Sequence, residues 1–339
     1  MCNELSIRSK SWKNETLETI YFGGGTPSIL TAKQLQQIIQ QVKSDYQVID
    51  SVEITLECNP DDCSLENLTD WKGLGVNRLS IGVQSFRDEQ LLWMNRSHRS
   101  KDSLTAVKNA QEVGFDELSL DLMYGLPNMS LDEWTEQLHQ IIALNPEHIS
   151  AYCLTVEQRT ALFKLVKDGK LTVSSNEEQS EQFEWLVETL KDAGYEQYEI
   201  SNFARNEHYS KHNTSYWKGS SYVGIGPSAH GYNGKERYWN QANNTLYLKE
   251  LTNDRLPETV EILSPYDRFN ETLMIGLRTK WGVSKQQLFE DLTPDSDWFN
   301  TVNDYEDKNL LLQTAEKLIL TKEGRLLADA IAADLFIIE

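Results

Sequence analysis

What constrains this chain most is an alternation that runs through its amino-terminal half. Short apolar segments with strand character at 19–22, 52–57, 78–83, 117–123, 148–154 and 195–200 are separated by stretches with helical apolar spacing. Helices are predicted over 31–42, where Leu35, Ile38, Ile39 and Val42 share a face; from 65, capped by Ser64; up to Gly114; over 131–144; and over 177–193. Strands alternating with helices make βαβ units, with parallel strands and right-handed crossovers. Repeated around an axis, such units give an α/β fold, a full or partial parallel β/α barrel.

Ligands of such folds bind at the carboxyl ends of the strands. Here the first strand delivers Gly23, Gly24, Gly25 and Thr26, followed by Pro27 and Ser28. The second delivers Glu57 and then Asn59-Pro60-Asp61-Asp62, the third Gln84 and Ser85, and the fourth Asp121 and then Tyr124-Gly125-Leu126-Pro127. The sixth delivers Glu199, Ser201 and Asn202. Consecutive glycines leave bare backbone N–H and C=O groups against which a ligand can lie. A tight βα turn accounts equally well for an isolated glycine triplet. Polar residues closing several neighbouring strands favour a ligand-binding edge.

The formal net charge of −20 argues against nucleic acid as a partner, because phosphate binding needs clustered Lys and Arg. No apolar run is long enough to span a bilayer, so no transmembrane segment is expected. Residues 1–10 lack the apolar core of a signal peptide. Cys2, Cys58, Cys63 and Cys153 have neither disulfide-framework nor Cys-x-x-Cys spacing. A cytoplasmic location is the expectation.

Residues 1–205 therefore read as the β/α domain. Residues 206–263 change in texture, with His212-Asn213-Thr214-Ser215-Tyr216-Trp217 and a Gly- and His-containing stretch at 224–231; they read as pocket-lining loops and a connection. Residues 264–339 read as a small, mostly helical, winged-helix-like domain, with helices at 266–277, 284–292 and 298–308, a hairpin at 310–313 and 318–321, and a last helix over 322–336. The acidity suits a packing or lid module better than a DNA reader.

Several segments together carry a resemblance: Gly23-Gly24-Gly25-Thr26-Pro27-Ser28, Glu57-Cys58-Asn59-Pro60, Gly82-Val83-Gln84-Ser85-Phe86, Asn95-Arg96, Asp121-Leu122-Met123-Tyr124-Gly125-Leu126-Pro127, Ile149-Ser150-Ala151-Tyr152, Tyr198-Glu199-Ile200-Ser201-Asn202-Phe203-Ala204 and His212-Asn213 with Tyr216-Trp217. In their order and spacing the chain resembles the HemN-like radical SAM family, the oxygen-independent coproporphyrinogen III oxidases and their relatives, and within it the HemW-type heme chaperones. The resemblance implies a partial six-stranded parallel β/α barrel with a C-terminal helical domain. It also implies S-adenosylmethionine (SAM) at the strand ends beside a [4Fe-4S] cluster. Carried over by motif, Gly24, Gly25, Thr26, Glu57, Gln84, Arg96 and Asp121 contact SAM. The chemistry suits them: Glu57 and Asp121 can accept from a ribose diol or an ammonium, and Arg96 can hold a carboxylate through two parallel hydrogen bonds.

The family's Cys-x3-Cys-x2-Cys motif, whose thiolates hold the cluster, is absent from this sequence. Cys58 and Cys63 have the wrong spacing, and Cys58 and Cys153 read as small buried apolar residues. Met1-Cys2-Asn3-Glu4-Leu5 resembles the middle of the family's first helix, so one βα unit of roughly 30 residues is expected to be missing in front of it. Without cluster ligands the chain is expected to be inactive as a radical enzyme. The resemblance to the chaperone branch implies heme or porphyrin binding and a hemoprotein recipient. His212, with His230 as second choice, is then the candidate axial imidazole, although both can equally satisfy loop hydrogen bonds. His208 is expected to face solvent. Two other readings stand beside the chaperone: an oxidase that decarboxylates the propionates of coproporphyrinogen III, and a non-catalytic SAM-binding remnant. Ser201-Asn202-Phe203-Ala204 and His212-Asn213 favour the chaperone branch.

Overall fold

A computed structural model describes residues 1–338. The chain divides into two compact units. One is built from Thr19–Ala32 and Glu53–Ser210, the other from Met1–Glu18, Lys33–Val52 and the chain from Lys211 onward.

The first unit carries the carboxyl ends of β1 (Thr16–Phe22) and β2 (Gln47–Cys58), then β3 (Arg78–Gln84), β4 (Leu118–Tyr124), β5 (His148–Cys153), β6 (Glu196–Gln197) and β7 (Asn202–Ala204). They form one sheet in the order β1-β2-β3-β4-β5-β7-β6. β2 to β5 are parallel neighbours, with Glu57 beside Ser80, Leu79 beside Leu118 and Asp121 beside Ser150. Helices Leu65–Gly73, Ser100–Val113, Leu131–Ala143 and Asn176–Asp192 supply the crossovers. Their starts are written in the sequence. The Ser64 hydroxyl accepts the Asn67 N–H at 3.2 Å, and Ser130–Glu133 and Ser175–Glu178 form reciprocal capping boxes. Each such cap stabilises by about 1 kcal/mol. The core lies between sheet and helices, where Leu79, Ile81 and Val83 meet Leu68, Trp71 and Val107 with at most 2% exposure. The result is the partial parallel β/α barrel that the alternation predicts.

The sixth predicted strand is a correction. Within residues 195–200 only β6 is strand; it runs in the direction of β5 but does not pair with it, because β7 lies between them. β6 and β7 pair antiparallel with each other, and β7 runs antiparallel to β5, with Ser150 beside Asn202. The reversal is held by the Glu199 carboxylate, which accepts the Ser201 N–H at 3.0 Å and the Asn202 side-chain amide. A polar turn thus ends the predicted strand early, and the chain returns as β7 beyond it.

In the second unit, helix Cys2–Arg8 carries a fully buried Glu4. Its carboxylate accepts from Arg8 Nε (2.9 Å), Asn240 Nδ2 (2.6 Å), the Tyr247 hydroxyl (2.6 Å) and the Gly226 N–H (2.9 Å). Arg8 also donates to Asn240 Oδ1 and to Glu258. Every charge in this cluster is paired, and removing one partner of such a set costs about 3–5 kcal/mol. The stretch read as loops holds more structure than its composition suggests. Helix Lys211–Trp217 is followed by β8 (His230–Tyr232), β9 (Glu236–Asn240) and β10 (Glu258–Ile262), antiparallel in the order β10-β9-β8, with helix Asn244–Thr252 between β9 and β10. The strands are too short to show alternation.

The C-terminal part is mostly helical: Pro265–Leu277, Lys285–Leu288, Ser296–Asp307, Lys322–Arg325 and Ala328–Asp334. A small antiparallel sheet joins them, with β11 (Val283–Ser284), β12 (Leu311–Gln313) and β13 (Lys317–Leu320) in the order β11-β13-β12. The last predicted helix is two helices, separated at Leu326 and Leu327. Among the described residues no helix is long and apolar enough to cross a membrane.

Candidate functional site

Side chains of a strand alternate between the faces of its sheet. In β3 this places Leu79, Ile81 and Val83 on the helix-covered face, and Ser80, Gly82 and Gln84 on the other. Glu57 on β2, Asp121 on β4 and Ser150 and Tyr152 on β5 fall on that same second face by register. Parallel strands are commonly apolar on both faces. A polar face along four parallel strands therefore lines a site.

At the end of β1 the chain turns through Gly24 (φ +73°) and Gly25 (φ +88°), left-handed conformations that favour glycine. A Cβ on Gly23 would lie 2.4 Å from Tyr21 Cε1 and 2.8 Å from Glu57 Oε1, so this position admits no side chain. Gly23, Gly24 and Gly25 are exposed, and Thr26 follows them half-buried. Glu57 is fixed beneath the turn: Tyr21 donates to its Oε1 at 2.6 Å and the Gly24 N–H to its Oε2 at 3.3 Å. Asp121 accepts from the Ser80 hydroxyl at 3.3 and 3.4 Å and also bonds to Ser150. Burial, and next the nearby charge of Glu57, push its carboxyl up to about 7; Ser150, Ser80 and Arg96 oppose the rise.

Arg96 donates from Nη2 to Asn59 Oδ1 at 2.7 Å and to the Gly82 carbonyl at 3.4 Å. Among the described residues it makes no ion pair with a carboxylate. Gln84 sits at φ +64°, beside an irregularity in the β3–β4 pairing, and non-glycine residues in this region cluster at functional sites. Its amide and the Arg96 guanidinium lie against the bare Cα of Gly82, where a Cβ would come within 2.9 and 3.3 Å of them. The arrangement offers two carboxylates to a cation, one guanidinium to an anion, and an exposed backbone edge between. It suits a zwitterionic ligand.

The seven residues Gly24, Gly25, Thr26, Glu57, Gln84, Arg96 and Asp121 thus converge in one unit. Tyr21, Ser80 and Ser150 belong with them, and the sequence reading missed all three. For Ser80 and Ser150 the signal is the non-apolar residue at every second position of 78–84, 117–121 and 148–152.

His212 belongs to the other unit. Its Nε2 lies 3.1 Å from the Tyr216 hydroxyl, the two rings meet edge-on at 5.0 Å, and burial pushes its pKa down to about 4. The imidazole is therefore neutral near pH 7. His230 is exposed and stacks on Trp239. His208 does not simply face solvent: its Nδ1 is 2.7 Å from Glu117 Oε1, and Glu117 also pairs with buried Arg78. Cys58 and Cys63 are both buried, with their sulfurs 3.5 Å apart, and the bond to Cys63, then burial, raise the Cys58 thiol. Cys153 is only half-buried and bonds to Tyr124. Among the described residues no group of three or more His, Cys, Asp or Glu is placed to hold a metal. The thiols present do not fit a [4Fe-4S] cluster.

Comparison with known proteins places this geometry. Residues 5–141 match the Radical SAM superfamily and residues 263–327 the HemN C-terminal domain. The chain is 36% identical over 320 residues to the heme chaperone HemW of Bacillus subtilis, covering 93% of this chain and 84% of that protein. It is 34% identical over 291 residues to HemW of Synechocystis, covering 85% and 70%. It is also 34% identical over 338 residues to the mitochondrial radical S-adenosyl methionine domain-containing protein 1 of Bos taurus, covering 94% and 75%. Among solved structures, coproporphyrinogen III oxidase (HemN) from Escherichia coli shares the fold, with a TM-score of 0.83 at 21% identity, over 99% of this chain and 82% of that one. With relatives this similar along most of their length, and with both matched regions in place, the chain belongs to the HemW-type proteins of the radical SAM superfamily.

Proposed function

We propose that this protein binds heme and passes it to a hemoprotein, and that it holds SAM at the strand edge of its β/α unit. The observation that carries the reading is its likeness, over 84% of the relative's length, to a protein named a heme chaperone. The geometry supports the SAM part. Arg96, without a carboxylate partner of its own among the described residues, receives the carboxylate of SAM. Glu57 and Asp121 accept from the ammonium and the ribose diol, and the exposed backbone of Gly24, Gly25 and Thr26 lies against the methionyl end. Gln84 lies over Gly82 beside Arg96 and completes that wall. SAM bound here would supply a cationic sulfonium.

The neutral imidazole of His212 supports the heme part, since a metal ligand must be unprotonated. Anaerobic reconstitution of this chain is expected to incorporate no stable iron–sulfur cluster, because its thiols are not placed to hold one. The test of the heme reading is a titration of the purified protein with hemin. A Soret shift that weakens in His212→Ala is expected, and no Soret change in the wild type removes the reading.

A further inference from the structure

The chain carries a formal charge of −20, yet one place in the second unit gathers cations on indole rings. Lys218, next after helix Lys211–Trp217, has its Nζ 4.8 Å from the centre of the Trp281 ring, and Lys280 Nζ lies 5.7 Å from the same ring. Arg278, next after helix Pro265–Leu277, lies 5.7 Å from the Trp217 ring. Two donors here have no acceptor among the described residues although both atoms are buried: the Trp217 indole N–H and the Nε of Arg278. Arg278 Nη1 is used, donating to Asp329 Oδ1 at 2.6 Å, and Asp329 is itself largely exposed. Buried donors are nearly always paired. Two of them side by side, among three cations, call for an acceptor from outside the chain, and a carboxylate is the acceptor that a guanidinium and an indole N–H share. Trp217 follows His212 by five positions, about 7.5 Å along the helix axis. The neutral imidazole and the carboxylate seat thus share one short helix, His212 and Trp217 leaving it about 140° apart around its axis.

Resting on the heme reading above, we propose that Trp217, Lys218, Arg278, Lys280 and Trp281 seat the propionate carboxylates of the bound tetrapyrrole, with the indoles flanking its edge. The site recognises the acidic rim of the ligand, and His212 recognises its metal.

The experiment compares hemin with hemin dimethyl ester, whose carboxylates are masked, by Soret titration of the full chain. Wild type is expected to bind hemin at least tenfold more tightly than the diester, with the preference falling as salt rises. Lys218→Ala and Arg278→Gln are expected to reduce that preference at least threefold each while leaving the Soret position of bound hemin unchanged. Lys218 is exposed, so its variant folds even where Arg278→Gln does not. Equal affinity of wild type for hemin and diester, or variants that keep the full preference, overturns the seat and leaves the heme reading standing. Failure of wild type to bind either compound overturns both.

Discussion

Asp121 gives the most demanding prediction. Its carboxyl is raised from 3.8 to about 7, first by burial and then by the charge of Glu57. Between those two values the unfolded chain has released the proton and the folded chain still holds it. Stability therefore falls as pH rises through this window, by about 1.36 kcal/mol per pH unit, and stops falling once the folded carboxyl has also ionised above 7. From pH 5.5 to pH 8, about 1.5 units lie inside the window, a loss of about 2 kcal/mol. An Asn at this position carries no titrating proton and keeps the shape. Asp121→Asn is thus expected to be more stable than wild type without ligand, with the gap widening by about 2 kcal/mol between pH 5.5 and pH 8. In a unit of this size that amounts to about 4–8 °C in Tm. Urea unfolding at the two pH values measures it, with equal m-values as the control. At pH 8 the same variant is expected to lose about ten- to hundredfold in SAM affinity, the worth of a hydrogen bond to a charged group. A stability gap that stays constant across pH would show that the carboxyl titrates at its ordinary value and would refute the reasoning.

Three further outcomes are expected. Gly23→Ala should destabilise by about 1–3 kcal/mol, because the new methyl enters the space of Tyr21 and Glu57; an unchanged denaturation midpoint would contradict this. Arg96→Ala should weaken SAM binding about ten- to hundredfold in calorimetry, and Arg96→Lys should recover only part, since an ammonium does not offer two parallel donors; full recovery by Lys would remove the carboxylate contact. Because burial holds His212 near 4, heme affinity through its neutral ring should be flat from pH 8 to 5.5 and fall only towards pH 4; a fall centred near 6.5 would sink its assignment as ligand.

The alternation of strands and helices was legible in its apolar spacing, and three of the four crossover helices add a serine at their start, Ser64, Ser130 and Ser175, while Ser100–Val113 begins without a side-chain cap. The positions closing the strands were legible as well, since the ends of parallel strands need only the strand boundaries to be found. Tyr21, Ser80 and Ser150 were not, because their roles depend on register between strands, which a single strand does not display. The polar second face was nevertheless present in the spelling of 78–84, as Arg-Leu-Ser-Ile-Gly-Val-Gln. The reversal at Glu199 was hidden for another reason: its cause is a carboxylate bonding two residues ahead, a local turn whose residues match strand composition on both sides. The pairing of His208 with Glu117 joins residues 91 apart and leaves no local trace.

The buried cluster around Glu4 sets an order of events in synthesis. Its carboxylate and its partner Asn240 are separated by 236 positions, and Tyr247 by 243. At ribosomal rates of about 5–20 residues per second, Glu4 and Arg8 emerge about 12–47 s before the side chains that satisfy them. During that interval the first helix has its Glu4–Arg8 pair and its bonds to Gln41, Asp45 and Tyr46, while the Glu4 carboxylate still lacks Gly226, Asn240 and Tyr247. Completion of this cluster is therefore a late step, and the strands from Glu53 to Ser210, whose partners lie closer in sequence, can close their sheet first.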